Sequence, residues 1–326
     1  MKNLTQNEEN EAENNQNRQD EVPVDEPTKS KDYDFTGING QYQALFVDKI
    51  TDEQLKHHLT LNLQRLQTKH NLLNYNVLVL FDEHTSLSSS DADRIYNAIT
   101  NQTEKKDILL LLNSRGGRIE PAYLISQTCK KNSNSKFVIS IPRKAKSAAT
   151  LICLGADEIH MGLMSEIGPI DPQINNLPAL GLGNSLEYIA KIVCKYPDAS
   201  EMFSNYLSKK LELSVLGYFE RVSESATQYA ERLIGDKILP DQQNPKSVAE
   251  KLVYHYKDHS FVIDIDEAKS LLGEGIIKEN SAEYYFGNEV YIMFDLLNFM
   301  TMHLKNKKLT FVGDLANGLN LINNDK

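Results

Sequence analysis

Two short motifs place residues of chemical interest directly after apolar runs of the chain. NSRGG at 113–117 follows DILLLLN, and AKSAAT at 145–150 follows KFVISIP. Paired glycines after a buried strand let backbone N–H groups approach a ligand, which suits an oxyanion hole or a phosphate cradle but also a plain tight turn. A serine at the start of a helix has its hydroxyl beside free N–H groups, which suits a nucleophile but also an N-cap. Each motif alone leaves both interpretations open.

The elements around these motifs predict how they are positioned. Strands are predicted at 77–82, 107–113, 136–142 and 157–162, and helices at 51–70, 88–100, 118–131 and 146–156. Short apolar runs that alternate with helices indicate an α/β protein with a parallel sheet covered on both faces. The two motifs therefore lie side by side at the carboxyl edge of that sheet.

Composition divides the chain into four predicted regions. An acidic, apolar-poor tail at 1–40 is predicted to be disordered because it cannot bury enough surface. A core is predicted at 41–184, a polar helical insertion or cap at 185–257, and a return to the core with a C-terminal segment at 258–326. For the helical region, an ordinary set of packing helices is the open alternative.

Bulk properties exclude several classes of protein. The formal net charge is −10, of which the first 34 residues contribute −6 through ten acidic and four basic side chains, so no basic footprint for nucleic acid is present. The chain shows no secretory signal and no apolar run of about 20 residues that could span a membrane. Its three cysteines, Cys129, Cys153 and Cys194, lie in apolar-rich stretches and are expected to be buried thiols in a reducing, cytoplasmic setting.

The order of the two motifs resembles the Clp/crotonase superfamily. More closely, PRKAKSAATLICLGADEIHMGLMSEIGPIDPQI at 142–174 resembles the serine dehydrogenase proteinase family, which is related to signal peptide peptidase A and the NfeD-type proteases. The resemblance covers about 75–175 and resumes at HSFVIDIDEAKSLLG, residues 259–273. It implies a Clp/crotonase-type repeated ββα core with a helical insertion. No dinucleotide fingerprint supports a dehydrogenase.

The resemblance also implies roles for individual residues. It makes Ser147 the nucleophile and gives the oxyanion hole to the N–H groups of Gly116, Gly117 and Ala148. Its histidine position corresponds to His259, which is expected to be the general base, with Asp171 either orienting the imidazole or capping a turn.

A lysine base, as in the Ser-Lys relatives, is the alternative, with Lys146, Lys191 and Lys195 as candidates. His160, at the end of an apolar strand, is expected to be a satisfied sheet residue. No His/Cys/Asp cluster has metal-ligand spacing.

The expected function is ATP-independent serine endopeptidase activity through an acyl-enzyme on Ser147, with a peptide or protein as substrate and no cofactor. Two alternatives remain at this stage. A crotonase-like acyl-CoA enzyme uses the same oxyanion hole but has no need of Ser147, and a non-catalytic scaffold could keep the fold. By analogy with Clp-fold relatives, a homo-oligomer is expected.

Overall fold

A mostly parallel sheet lies at the centre of the protein, whose computed structural model describes residues 31–174 and 177–323. Within that part, the main strand order is β11-β10-β1-β2-β3-β5-β9, and β4 pairs with β2 and β6. The strands are β1 Tyr75–Asp82, β2 Asp107–Ser114, β3 Phe137–Ser140, β4 Lys144–Ala145, β5 Glu158–His160, β6 Glu166–Ile167, β7 Gln173–Ile174, β8 Leu177–Pro178, β9 Ile277–Lys278, β10 Lys307–Asp314 and β11 Leu319–Asn323. β7 and β8 pair separately as an antiparallel hairpin.

Helices cover both faces of this sheet. They are α1 Ile38–Tyr42, α2 Asp52–Lys69, α3 Ser89–Thr100, α4 Ile119–Asn132, α5 Ala148–Leu154, α6 Ala179–Lys195, α7 Ser200–Lys210, α8 Leu213–Ile234, α9 Pro245–Glu250, α10 Ile265–Leu272 and α11 Ala282–Lys305. Alternate residues of β1 face opposite layers: Leu78 and Leu80 pack with α3, α4 and α5, whereas Val77 and Val79 pack with α2 and α11. This two-sided burial explains why the central strands are continuously apolar. The predicted α/β architecture is confirmed.

The ordered part of the chain begins earlier than predicted. Residues 1–30 of the predicted disordered tail lie outside the described residues, but the boundary at residue 40 is wrong, because Tyr33 and Phe35 are buried. Phe35 donates its N–H to the buried Asn62 side chain at 2.9 Å, and the Asn62 amide donates to the Tyr33 carbonyl at 2.8 Å. Two aromatic side chains and one buried amide thus fix this segment on α2, although its overall composition is polar.

The predicted helical region at 185–257 is helical in the structure, and its parts are buried to different extents. The second half of α8 packs into the core through Ala226, Ala230 and Leu233. By contrast, α7 has no buried residue. The end of α8 is therefore an ordinary helix packed into the core, which was the alternative to an insertion or cap.

The C-terminal segment adds two strands to the main sheet. β10 pairs antiparallel with β1, and β11 pairs antiparallel with β10 at the edge. β10 is buried through Leu309, Phe311 and Val312. In this part of the chain, α11 and the antiparallel strands β10 and β11 pack against the core, as the predicted return to the core requires.

The cysteine prediction is correct for two of the three thiols. Cys129 and Cys153 are fully buried, whereas Cys194 is exposed on α6, so its predicted burial is wrong. Cys194 lies in an apolar-rich stretch, but α6 carries those apolar side chains outside the main core. Among the described residues, no helix is both long and apolar enough to cross a lipid bilayer.

The Asn62 contacts give a stability prediction for the N-terminal segment. Asn62→Ala leaves the buried Phe35 N–H and Tyr33 carbonyl without these partners, and we expect it to lower the free energy of unfolding by about 2 kcal/mol. Urea unfolding followed by circular dichroism measures the change, with Gln64→Ala on the exposed face of the same helix as the control. Equal unfolding midpoints for the two variants would show that the segment does not depend on Asn62.

Candidate active site

The ends of three parallel strands bring the two motifs together. β1 pairs with β2 and β2 pairs with β3, all parallel, and the short β4 continues the edge by pairing Ala145 with Ser114. An open cleft of about 680 Å³ lies along this edge. Ser147, Gly116, Gly117 and His259 all line it. The sequence-predicted juxtaposition of the glycine and serine motifs is therefore present.

Ser147 lies in an unusual backbone conformation at the junction of β4 and α5. Its φ is +52° and its ψ is −121°, a region that a residue with a Cβ adopts at a cost of about 1–3 kcal/mol. Its side chain makes no capping hydrogen bond to α5, so the N-cap interpretation of the hydroxyl is not supported. A sharp, strained strand-to-helix turn is the geometry that exposes a nucleophilic serine hydroxyl at a sheet edge.

The two glycines lie against this turn, and their roles differ. A Cβ on Gly116 would lie 2.4 Å from the Lys146 carbonyl oxygen and 2.9 Å from the Ala148 nitrogen, so only glycine fits there. The Gly116 N–H donates to Ser114 Oγ at 3.1 Å, so in this structure it is engaged within the loop; its predicted role as an oxyanion donor stays a prediction. Ala148 is the first residue of α5, whose N–H has no acceptor one turn earlier. Gly117 and Ala148 are thus the candidate donors.

Gly117 is held in place from its other side by the segment that follows β1. Leu87 donates its N–H to the Gly116 carbonyl at 2.9 Å and accepts the N–H of Arg118 at 3.0 Å. A Cβ on Gly117 would lie 2.3 Å from the Leu87 nitrogen. This close backbone pairing requires glycine and fixes the plane of the peptide that presents the Gly117 N–H.

His259 and Asp171, which are 88 residues apart in the chain, form a close hydrogen-bonded pair. His259 Nδ1 donates to Asp171 Oδ1, and the Gln173 amide donates to the other carboxylate oxygen at 2.9 Å. Because Nδ1 is the donor, Nε2 is left as the proton acceptor of the neutral ring. The hydrogen bond to Asp171 raises the pKa of His259 above its ordinary value, against the lowering effect of partial burial.

The hydroxyl of Ser147 makes no hydrogen bond to His259 or to a lysine within residues 31–174 and 177–323. Catalytic hydrogen bonds are often long in substrate-free enzymes and shorten when substrate binds. Ser147 and His259 nevertheless line the same cleft, with Asp171 directly behind the imidazole.

The lysine candidates lie elsewhere. Lys146 forms an ion pair with Glu166 at 2.7 Å. Lys191 is exposed and lies 4.0 Å from Glu187 on its own helix, and the Lys195 ammonium lies over the Tyr196 ring. None of these three lysines lines the cleft. This arrangement favours His259 as the base.

His160 is a buried residue of β5, but the prediction that it is satisfied is only partly correct, because its buried Nε2 has no hydrogen-bond partner among the described residues. Its Nδ1 lies 2.6 Å from Ser281 Oγ, and burial lowers its pKa. Within the residues that the structure describes, no group of three or more His, Cys, Asp or Glu side chains is arranged to hold a metal ion.

Several residues of the cleft were not identified from the sequence. Arg115, Arg118, Tyr218 and Val222 line it together with the predicted residues. Arg115 and Arg118 flank the glycine pair, Arg115 inside the NSRGG motif and Arg118 directly after it, so the local sequence contained a signal for both. Tyr218 and Val222 come from the long helix α8 and carry no local signal, because only the tertiary fold brings that helix to the cleft.

The fold and this site agree with a comparison of the sequence to known families. Residues 83–311 match the ClpP-like SDH-type serine proteinases. The match covers well over half of the chain and includes both strand-end motifs and the His259 segment. The chain belongs to this family.

Individual relatives are more distant. Two uncharacterized proteins of Methanocaldococcus jannaschii are each 26% identical over 185 residues, 57% of this chain. The match covers 59% and 57% of their lengths, so the chain spans less than three fifths of these relatives.

Among solved structures, two mutants of the membrane-bound stomatin-specific protease 1510-N are similar to this chain. One has a TM-score of 0.40 and 16% identity and covers 63% of this chain and 78% of its own. The other, in complex with a substrate peptide, has a TM-score of 0.39 and 15% identity and covers 78% of this chain and 90% of its own.

The His259–Asp171 pair gives a prediction about pH. We expect His259 to titrate above its ordinary pKa of about 6.5 and His160 to titrate below it. Asp171→Asn should lower the His259 pKa. Because the folded-state pKa of His259 is raised, the stability contributed by the pair is fully present below the unfolded pKa and is lost as pH rises through the folded pKa.

Two-dimensional NMR of the imidazole nitrogens measures both histidines in one titration. A His259 that titrates at or below 6.5, or one that Asp171→Asn leaves unchanged, would contradict the hydrogen bond on which the triad depends. His160 serves as the internal control because it does not contact Asp171.

Proposed function

We propose that this chain is a serine endopeptidase that cleaves peptide bonds through an acyl-enzyme on Ser147. The observation that carries the proposal is the strained turn at Ser147, which lines one cleft with Gly117 and with an imidazole held by Asp171. Membership of a family of serine proteinases supports the same chemistry. Ser147 would be the nucleophile, His259 the general base and Asp171 the orienting carboxylate.

The reaction follows from these positions. Ser147 Oγ attacks the scissile carbonyl carbon while His259 Nε2 takes its proton, and the imidazolium that forms is stabilised by Asp171. The carbonyl oxygen gains negative charge and accepts the N–H groups of Gly117 and Ala148. His259 then gives the proton to the leaving amine, which leaves an ester on Ser147. A water molecule deprotonated by His259 hydrolyses this ester and restores the serine.

The crotonase-type alternative fits the residues less well. Enolate chemistry on an acyl thioester uses an oxyanion hole but needs neither a serine in a strained turn nor a His–Asp pair opposite it. In this site the serine has a strained backbone conformation, and the histidine is paired with a buried carboxylate, Asp171. Peptide hydrolysis by a serine nucleophile and a histidine base uses both features, so it is the function that the site supports best.

The nucleophile can be tested directly. Ser147→Ala should abolish labelling by a fluorophosphonate probe and lower the rate of peptide hydrolysis by about 10⁴-fold or more, because the attacking oxygen is gone. Intact-protein mass spectrometry of the labelled wild-type chain and peptide mapping locate the adduct. Ser90→Ala, an exposed serine on α3, is the matched control. Undiminished hydrolysis by Ser147→Ala, or an adduct at another residue, would refute the assignment.

We propose further that the helical region between the two catalytic segments acts as a cap. Tyr218 and Val222 of α8 line the cleft, and we expect the region to admit extended chains and exclude folded domains. The test compares hydrolysis of one protein substrate in its folded form and in a reduced, unfolded form, with a short peptide as reference. Cleavage of both forms at the same rate would argue against the cap.

A further inference from the structure

Lys146, the residue before the proposed nucleophile, reaches across to the segment that carries the proposed base. Its ammonium lies 2.7 Å from Glu166 Oε2 and donates to the carbonyl oxygen of Phe261 at 3.0 Å. A third contact, to the carbonyl of Ser260, is longer at 3.5 Å. The side chain is largely buried, with 13% of its surface exposed. The ammonium is therefore paired with one carboxylate and lies within hydrogen-bonding distance of two backbone carbonyl oxygens.

The Lys146 contacts fall on a tight turn that contains His259. Asp258 closes this turn, because its carboxylate accepts the N–H of Ser260 at 2.8 Å and its carbonyl accepts the N–H of Phe261 at 3.0 Å. After the turn, Ile263 and Ile167 exchange two backbone hydrogen bonds of 3.0 Å each. The turn is thus anchored downstream by a backbone bridge, and Lys146 anchors its tip.

Gly168 leaves space for the Lys146 side chain. A Cβ at position 168 would lie 2.6 Å from Lys146 Cδ. The glycine follows β6, the strand that pairs with β4 and carries Glu166. The lysine stem therefore runs through a narrow passage between the Ser147 turn and the His259 turn, and its path is set by packing as well as by charge.

We propose that Lys146 is a positioning residue that fixes the distance between Ser147 and His259. This inference rests on the proposed peptidase function and deepens it. Lys146 is covalently adjacent to Ser147, and its ammonium is bonded to the two residues that follow His259. A single side chain thus spans the gap between nucleophile and base. Without it, only the bond to Asp171 and the downstream backbone bridge at Ile263 hold the turn, so its tip can shift relative to Ser147.

This role differs from that of a general base. A lysine base must have a lone pair directed at the serine hydroxyl, whereas Lys146 directs its N–H bonds at a carboxylate and at carbonyl oxygens. A lysine adjacent to the nucleophile in sequence is therefore a positioning group here, and Glu166 balances its charge.

Kinetics with a peptide substrate test the proposal. Lys146→Met should lower kcat by about 100-fold, since a displacement of about 1 Å between reacting groups costs that much. KM should stay within about twofold, because Lys146 does not line the cleft. Lys146→Arg, which keeps the charge and donors, should recover part of the loss. Lys130→Met, which removes a remote lysine paired with Asp157, should leave kcat unchanged.

A second perturbation needs no change at the lysine. Gly168→Ala should push Lys146 Cδ aside while every charged group is kept. We therefore expect it to lower kcat, as Lys146→Met does. This variant also serves if Lys146→Met does not fold. A wild-type kcat in either variant, once the variant is shown to be folded, would overturn the proposal. So would a Lys146→Met variant whose melting temperature falls while its kcat stays at the wild-type value.

The position of His259 can be read without any activity. The double variant Lys146→Met/Glu166→Gln removes one positive and one negative charge together. The charged groups that raise the His259 pKa are Asp171 and Asp258, and the charged side chains that share its cleft are Glu83, Arg115, Arg118 and Glu120; the double variant changes none of them. Release of the turn should loosen the contact with Asp171, so the His259 titration measured by NMR should move down toward about 6.5.

An unchanged His259 titration in the double variant would count against the positioning role. If the wild-type chain neither hydrolyses peptides nor reacts with the fluorophosphonate, the proposed function fails, while this titration still decides whether Lys146 holds the turn. The two failures are therefore distinguishable.

Discussion

The left-handed backbone conformation of Ser147 is the constraint on which the rest of the site depends. Three hydrogen bonds hold it. The Lys146 N–H donates to the Ser114 carbonyl at 3.1 Å, which ties the turn to β2. The buried Thr150 hydroxyl lies 2.6 Å from the Ala145 carbonyl and accepts the Gly168 N–H at 3.0 Å. These bonds fasten both sides of the turn, so they supply the free energy that the strained residue requires.

The same constraint explains why glycines and a buried threonine surround the serine. The Gly116 backbone approaches the Ser147 turn so closely that a side chain would collide with backbone atoms. Its N–H is used within the loop, whereas Gly117 lines the cleft beside Ser147, and Ala148 follows Ser147 as the first residue of α5. The close packing of the loop between β2 and α4 on the Ser147 turn thus determines which backbone N–H groups can serve as the proposed oxyanion donors. The base enters from a separate segment, which Asp171 and Lys146 hold from two sides.

The sequence predicted the elements whose signal is local. The strand DILLLLN and the helix that begins within AKSAAT could be predicted from apolar runs and motifs. The role of His259 is implied by the family resemblance, which leaves the role of Asp171 open between orienting the imidazole and capping a turn. Contacts between distant segments could not be predicted. Composition gave no sign that Phe35 would bury against Asn62, that Gly116 would donate to Ser114, or that the Lys146 ammonium would reach residues 260 and 261. In each case the partner is chosen by the tertiary fold rather than by neighbouring residues.

The central claim is that Ser147 attacks a carbonyl whose oxygen is received by Gly117 and Ala148. A crystal structure of the chain phosphonylated at Ser147 tests it most directly, since the phosphonyl oxygen occupies the place of the oxyanion. The account predicts that this oxygen lies about 2.7–3.1 Å from the backbone nitrogens of both Gly117 and Ala148, with His259 still bonded to Asp171. A phosphonyl oxygen that faces solvent, or that is bound by other donors, would contradict it.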